Sequence, residues 1–166
     1  MSIIIRTAQE ADKSELHVMI QEIDLYFRSL EPGAPSEYIL LTSGERRDFT
    51  HTAELSFGPN PFCTTLIAEL DGAKVGYLAY HTGVFNTDPA IYIAGLFIRK
   101  PARNKGVGLA LMAQAETIAI QRGATALTWN VWHENLSAKR FYERLGGEVY
   151  EDDVVMVKRV ALINPL

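Results

Sequence analysis

The stretch Ile98-Arg-Lys-Pro-Ala-Arg103-Asn-Lys-Gly106-Val-Gly108 decides the fold of this 166-residue chain. Upstream, Ala90–Arg99 reads as a strand, rich in apolar and β-branched residues. Downstream, Gly106–Arg122 reads as a long helix, closed by Gly123 in the usual C-terminal position. Ala124–Val131 is a further strand. Strand, helix and strand in that order form a βαβ unit, with a parallel pair and a right-handed crossover. The turn itself suits an anion. The first N–H groups of a helix lack internal partners, and the helix dipole adds partial positive charge there. Gly106 and Gly108 let the backbone approach phosphate oxygens without a Cβ in the way, and Arg103 and Lys105 add mobile positive charge. A Gly-x-Gly before a helix is also, often, just a tight turn. Two other phosphate loops are excluded: there is no G-x-x-x-x-G-K-[ST], and Leu111 stands where a dinucleotide loop needs its third glycine.

Working outward, Phe62–Leu70 and Lys74–Thr82 are strand-like runs joined by Asp71-Gly72, a strong hairpin signal. Asn86, Asp88 and Pro89 mark the next turn, so these two runs and Ala90–Arg99 form an antiparallel meander. Towards the N-terminus, Ile3–Arg6 reads as a short strand. A helix opening at or before Asp12 carries Leu16, Met19, Ile20 and Ile23 on one face. Leu30–Gly44 holds Pro32, Gly33, Pro35 and Gly44 and reads as a loop, with a turn of helix at Tyr38–Leu41; Glu45–Phe57 is a second candidate helix. Towards the C-terminus, Asn135 is an N-cap for a helix to Leu145, ended by Gly146, and Glu148–Tyr150 and Val154–Val160 read as strands. The expected class is α/β: one domain, residues 1–166, with a mixed sheet flanked by helices.

Composition narrows the function. Hydrophobic residues make up 48% and charged residues 22%, the balance of a soluble globular protein. A net charge of −4 argues against nucleic-acid binding and leaves room for a cationic substrate. Cys63 is the single cysteine, which fits a reducing cytoplasm, and we expect a cytoplasmic protein with no membrane association. Four scattered histidines and one cysteine give no metal-ligand spacing, so no metal is expected.

Arg103-x-x-Gly106-x-Gly108 resembles the [RQ]-x-x-G-x-[GA] coenzyme A signature of the GNAT superfamily of N-acetyltransferases. Leu96-Phe97-Ile98 stands where that family has an L-x-V strand. Asn135-Leu-Ser-Ala-Lys-Arg-Phe141-Tyr142-Glu-Arg-Leu-Gly146 is similar to its N-x-x-A-x-x-F-Y-x-x-x-G segment. Val155-Met-Val-Lys158 resembles its last strand, and Ile5-Arg-x-Ala-x-x-x-Asp12 its opening. The resemblance implies a central six- to seven-stranded, mostly antiparallel sheet with a parallel splayed pair and about four helices.

It also implies acetyl-CoA as co-substrate. Backbone groups of Leu96, Phe97 and Ile98 would bond the pantetheine. The amides of Arg103, Asn104, Lys105, Gly106, Val107 and Gly108 would hold the pyrophosphate, with Leu109 flanking. Asn135 would contact the coenzyme, or serve as a plain N-cap, or both. Tyr142 would be the general acid for the departing thiolate; the residues alone favour a core aromatic on the Ala138/Phe141/Leu145 face. An amide near Leu96 could polarise the thioester carbonyl.

The general base stays open. Relatives that acetylate polyamines carry an acidic pair before the L-x-V strand, and here those positions are Ala94 and Gly95. Tyr92, Glu54, Asp88 and His133 are the candidates, and a water chain to bulk could also carry the proton. Cys63, at the start of a hydrophobic strand, is expected to be a buried small hydrophobe. Trp129 is expected in the core and Trp132 at the acceptor cleft. The segment Leu25–Gly44, with Tyr26, Phe27, Glu31, Glu37 and Tyr38, is expected to select a small-molecule amine acceptor. Acetylation of protein N-termini or lysines, and a non-catalytic acyl-CoA sensor, are the alternative functions. Family members often form homodimers, and apolar Val160–Leu166 could help pair subunits.

Overall fold

The computed structural model describes residues 1–30 and 50–150 of the chain. The chain divides into two compact units, Met1–Glu134 and Asn135–Leu166. The first unit holds β1 (Ile3–Thr7), a 3₁₀ turn (Glu10–Asp12), α1 (Lys13–Ser29), α2 (Thr50–Glu54), β2 (Thr64–Leu70), β3 (Ala73–Phe85) and β4 (Asp88–Ile98). It continues through α3 (Val107–Gln121) and β5 (Ala126–Trp129); the second unit holds α4 (Leu136–Arg144). The sheet runs β1-β2-β3-β4-β5 in chain order. Every neighbouring pair is antiparallel except the parallel β4–β5 pair, where α3 makes the crossover.

Two tight turns set the registers. Asp71 and Gly72 have φ of 50° and 83°, the left-handed pair that a two-residue hairpin needs to match strand twist. Asn86 and Thr87 repeat that conformation at 47° and 75°, without a glycine. The β3–β4 hairpin is therefore longer than the sequence suggested, pairing Phe85 with Asp88.

Alternation along the strands gives the sheet two faces. On one, Tyr77 and Phe97 pack with Ile67 beneath Leu16, Met19 and Ile20 of α1 and Ala53 of α2, and Ile23 flanks them. This is the apolar stripe anticipated for α1. On the other face, α3 buries Val107, Leu111, Met112, Ala115 and Ala119, a helical stripe one sheet-facing side wide.

The Ile5-Arg-x-Ala-x-x-x-Asp12 opening has a structural reason. Asp12 is 2% exposed and caps its own turn by accepting from the Gln9 N–H at 2.8 Å. Arg6 donates to it at 2.6 and 2.9 Å, and Lys74 of β3 reaches it at 2.6 Å. Arg6 also pairs with Glu69 of β2. These partners tie β1, β2, β3 and the start of α1 together, and the Arg6 hydrogen bond above all holds the Asp12 carboxyl well below the usual carboxylate range.

The described residues form five strands, compatible with the six or seven expected, since Val154–Val160 is not among them. Some expectations change. Glu148–Tyr150 forms no strand; all three residues are solvent-exposed, so no buried face fixes a ladder there. The helix expected over Glu45–Phe57 is limited to Thr50–Glu54 among the described residues. The Tyr38–Leu41 turn, Val154–Val160 and the Val160–Leu166 tail lie outside the described residues.

Candidate functional site

β4 and β5 pair only through Ala90↔Ala126 to Ile93↔Trp129. Beyond Ile93, among the described residues, β4 runs on to Ile98 paired with β3 only. Leu96 and Ile98 therefore turn their backbone groups to the edge that β5 leaves unpaired, the Ile98 carbonyl there accepting from Arg103 Nε, while Phe97 faces β3. The fork coincides with a β-bulge. Tyr80 pairs with Ile93 but Ala79 with Gly95, so Ala94 is the extra residue on β4. A bulge bends its strand and sharpens the local twist, which turns β4 away from β5 at this point.

The open edge leads directly into the glycine loop. Arg99 N–H bonds the Val75 carbonyl at 2.8 Å, and Lys100–Ala102 makes one 3₁₀ turn with Pro101 inside it. Asn104 and Gly106 then adopt left-handed φ of 60° and 83°. Alternating handedness of this kind turns successive amides towards one side, making a concave anion nest. Gly106 is the N-cap of α3, and its carbonyl accepts from the Ala110 N–H at 3.0 Å. Val107, Gly108 and Leu109 are the first turn, whose N–H groups have no intrahelical partner. A Cβ at Gly106 would meet only Ile3 Cδ1, at 3.7 Å, so the loop asks for glycine there through its φ rather than through crowding.

Arg103 departs from expectation. Its Nε donates to the Ile98 carbonyl at 2.9 Å, and its guanidinium lies 4.7 Å over the Tyr26 ring of α1. It is a brace between the loop, the end of β4 and α1, not a mobile charge. Lys105 is exposed.

In the other unit, Asn135 is 7% exposed and its side-chain oxygen accepts from the Ala138 N–H at 3.1 Å, so the N-cap role is realised. Tyr142 lies on α4, edge-on to Phe141 at 5.2 Å between ring centroids. Burial pushes its phenol up to about 12, which keeps it a proton donor throughout the neutral range.

The acceptor-side candidates fall into different places. Phe27 packs against Trp132 at 6.2 Å, so this pair and Tyr26 put aromatic surface at the end of α1. Trp129 is half-buried at the fork, as the last paired residue of β5. Glu54 pairs with Lys13 and His133 with Glu134, both at the surface. Asp88 sits at the hairpin end of β4. Tyr92 lies on β4 with its ring 5.0 Å from that of His81 on β3, a residue the sequence did not single out. Counting outward from the Asn86-Thr87 turn pairs 81 with 92, so the signal was the hairpin register. Cys63 is half-buried and hydrogen-bonded, not a buried hydrophobe: its Sγ lies 3.2 Å from Ser56 Oγ, which in turn reaches Thr65. Glu31, Glu37 and Tyr38 lie outside the described residues.

A sequence model of the acetyltransferase (GNAT) family matches residues 24–147. The chain belongs to this family. It is thus an acetyl-CoA-dependent N-acetyltransferase, with the mixed sheet and parallel β4–β5 pair of that fold. Thialysine N-epsilon-acetyltransferase of Sus scrofa is 26% identical over 155 residues, covering 87% of this chain and 84% of its own. Among solved structures, an integron cassette protein from the mobile metagenome of V. cholerae matches with a TM-score of 0.74 at 20% identity, over 96% of this chain and 94% of that one. AAC(6')-Iy in complex with the bisubstrate analogue CoA-S-monomethyl-acetylneamine matches with a TM-score of 0.69 at 18% identity, over 96% and 100%. At such identities these two structures speak for the fold of this acetyltransferase.

Proposed function

We propose that this acetyltransferase acetylates a small primary amine. The observation that carries the reading is the continuous open edge of β4 from the Ala94 bulge to Ile98, leading without interruption into the left-handed loop and the first turn of α3. An extended thioester arm ending in a pyrophosphate matches that path. On the edge that β3 leaves free, the N–H and C=O of Leu96 and the N–H of Ile98 bond the pantetheine amides; the Phe97 groups face β3, and Arg103 Nε takes the Ile98 carbonyl. The amides of Asn104–Leu109 take the pyrophosphate, and Arg103 holds their loop in shape. The thioester then lies at the bulge, where an amide freed from the ladder polarises its carbonyl.

The chemistry is attack of a neutral amine on that carbonyl. The nitrogen lone pair forms the C–N bond, and the C–S bond breaks with its electrons on sulfur. Tyr142 acts as the acid for sulfur. A phenol near 12 is a weaker acid than an ordinary thiol at about 8.5, so it works by donating a hydrogen bond to the developing thiolate. The protonated nitrogen of the adduct supplies the proton that ends on sulfur.

A small cationic acceptor is supported by the name of the Sus scrofa relative, by the aminoglycoside-derived analogue in AAC(6')-Iy, and by the aromatic surface of Phe27 and Trp132, which suits an ammonium group. The test is thiol release from acetyl-CoA against amino acids with side-chain amines, polyamines, aminoglycosides and lysine peptides. Turnover confined to small amines supports the reading. Preference for peptides replaces it with protein acetylation, and acetyl-CoA binding without any turnover replaces it with a sensor.

A further inference from the structure

The reaction needs a group to take a proton from the incoming ammonium, and no carboxylate stands at Ala94 or Gly95, just before Leu96. The strand register brings a different group to that place. On β3, Tyr77, Ala79 and His81 share one face; opposite them on β4 are Phe97, Gly95 and Tyr92. Tyr77 and Phe97 fix this as the α1 face. Without the bulge, strict alternation from Phe97 through Gly95 would put Ile93 on this face and Tyr92 on the other. The extra residue Ala94 reverses the parity, so Ile93 is buried opposite and Tyr92 joins His81 on the α1 side. The same bulge that opens the β4 edge therefore sets this pair beside it.

His81 is oriented for proton acceptance. Its ring stacks on Tyr92 with 5.0 Å between centroids and 31° between planes. Its Nδ1 lies 3.1 Å from the Thr82 carbonyl oxygen. A carbonyl only accepts, so Nδ1 carries the hydrogen, and in the neutral ring Nε2 carries the lone pair. The side chain is exposed, which gives a taken proton a way to solvent. At about 3.3 Å rise per residue and about 4.8 Å between strands, the His81 backbone is roughly 8–10 Å from Ala94. The imidazole covers about half of that distance at most, and bridging water completes the path. The titratable groups on this face include the Tyr92 phenol, the Tyr77 phenol, whose oxygen lies 3.6 Å from where a Gly95 Cβ would stand, and the thiol of Cys63, which precedes β2; among the described residues no carboxylate or cation is seen to pair with His81.

We propose that His81 is the base that deprotonates the acceptor amine, with Tyr92 and the Thr82 carbonyl as positioning groups; this rests on the amine-acetylation reading above. One ammonium proton passes to Nε2, directly or through a water. The freed lone pair then forms the C–N bond, the second proton leaving nitrogen ends on sulfur, and the imidazolium returns its proton to solvent.

The experiment is kcat/KM against pH for wild type, His81→Gln and His81→Ala, by thiol release with the best amine, together with calorimetric titration by acetyl-CoA. Expected is a wild-type acidic limb that His81→Gln abolishes, a rate loss of about 10²–10³-fold, unchanged acetyl-CoA affinity, and partial rescue of His81→Ala by added imidazole. Wild-type turnover with an unaltered limb and rate in His81→Gln overturns the His81 assignment alone. Acetyl-CoA binding with no wild-type turnover of any amine overturns the functional reading and this inference with it.

Discussion

Gly76 tests how tightly β3 supports the open edge of β4. It sits on β3 opposite Ile98, and a Cβ there would lie 2.5 Å from the Phe97 carbonyl oxygen and 3.3 Å from Ile98 Cα. An ordinary carbon–oxygen contact is about 3.3 Å, so Gly76→Ala must push the two strands apart by roughly 0.8 Å against backbone that has no flexible end to give. Such overpacking costs about 1–3 kcal/mol, and the stiffer unfolded chain returns about 0.4–1 kcal/mol. The net loss is about 1–2 kcal/mol, or a Tm lowered by roughly 2–8 °C in a chain of this size. Because the displaced atoms belong to Phe97 and Ile98, acetyl-CoA affinity should fall about three- to tenfold through weakened pantetheine hydrogen bonds. Gly83→Ala on the same strand is the internal control, since a Cβ there meets nothing within 4 Å, and it should leave both quantities unchanged or slightly raise Tm. Thermal melts and calorimetric titration of the two variants read both effects. A Gly76→Ala protein as stable as Gly83→Ala, with wild-type affinity, would refute the reasoning.

Two further outcomes are expected. Tyr142→Phe should lower kcat by about 10²-fold with little change in acetyl-CoA affinity; a phenol held near 12 stays protonated, so wild type should show no alkaline limb from this residue below about pH 11, and a limb near pH 9 that disappears in the variant would contradict that. Asp12→Ala should cost about 3 kcal/mol in a urea melt, because Arg6 and Lys74 lose their shared buried partner but are themselves partly exposed. The depressed Asp12 carboxyl contributes stability that is fully present above its unfolded value and is lost only as pH falls below about 4 towards the folded one, so the variant's deficit should be constant from pH 5 to 8 and shrink in acid.

The parts of this fold that local chemistry specifies were readable from residues. The Asp71-Gly72 turn announced its hairpin because only a left-handed pair closes two residues with the right twist. The α1 stripe and the Gly106 start of α3 followed from helical spacing and the need for φ of 83° at the N-cap. What was not legible depends on contacts distant in sequence. Nothing local signals that Arg103 folds back to the Ile98 carbonyl and onto Tyr26. The Ala94 bulge has no residue signature, yet it decides that Tyr92 rather than Ile93 faces α1 beside His81, a pairing that only the cross-strand register reveals. Cys63 read as apolar by its neighbours in sequence, while Ser56 reaches it across a loop.

The central claim is that the loop after β4 holds the coenzyme, and titration calorimetry of wild type and Gly106→Val with acetyl-CoA tests it most directly. A β-branched residue at φ of 83° costs about 1–3 kcal/mol of local strain, enough to unwind the nest while the rest of the fold, checked by far-UV circular dichroism, stays intact. The account predicts binding of acetyl-CoA to wild type and its loss, by at least about thirtyfold, in Gly106→Val. A folded Gly106→Val protein with wild-type affinity would contradict it.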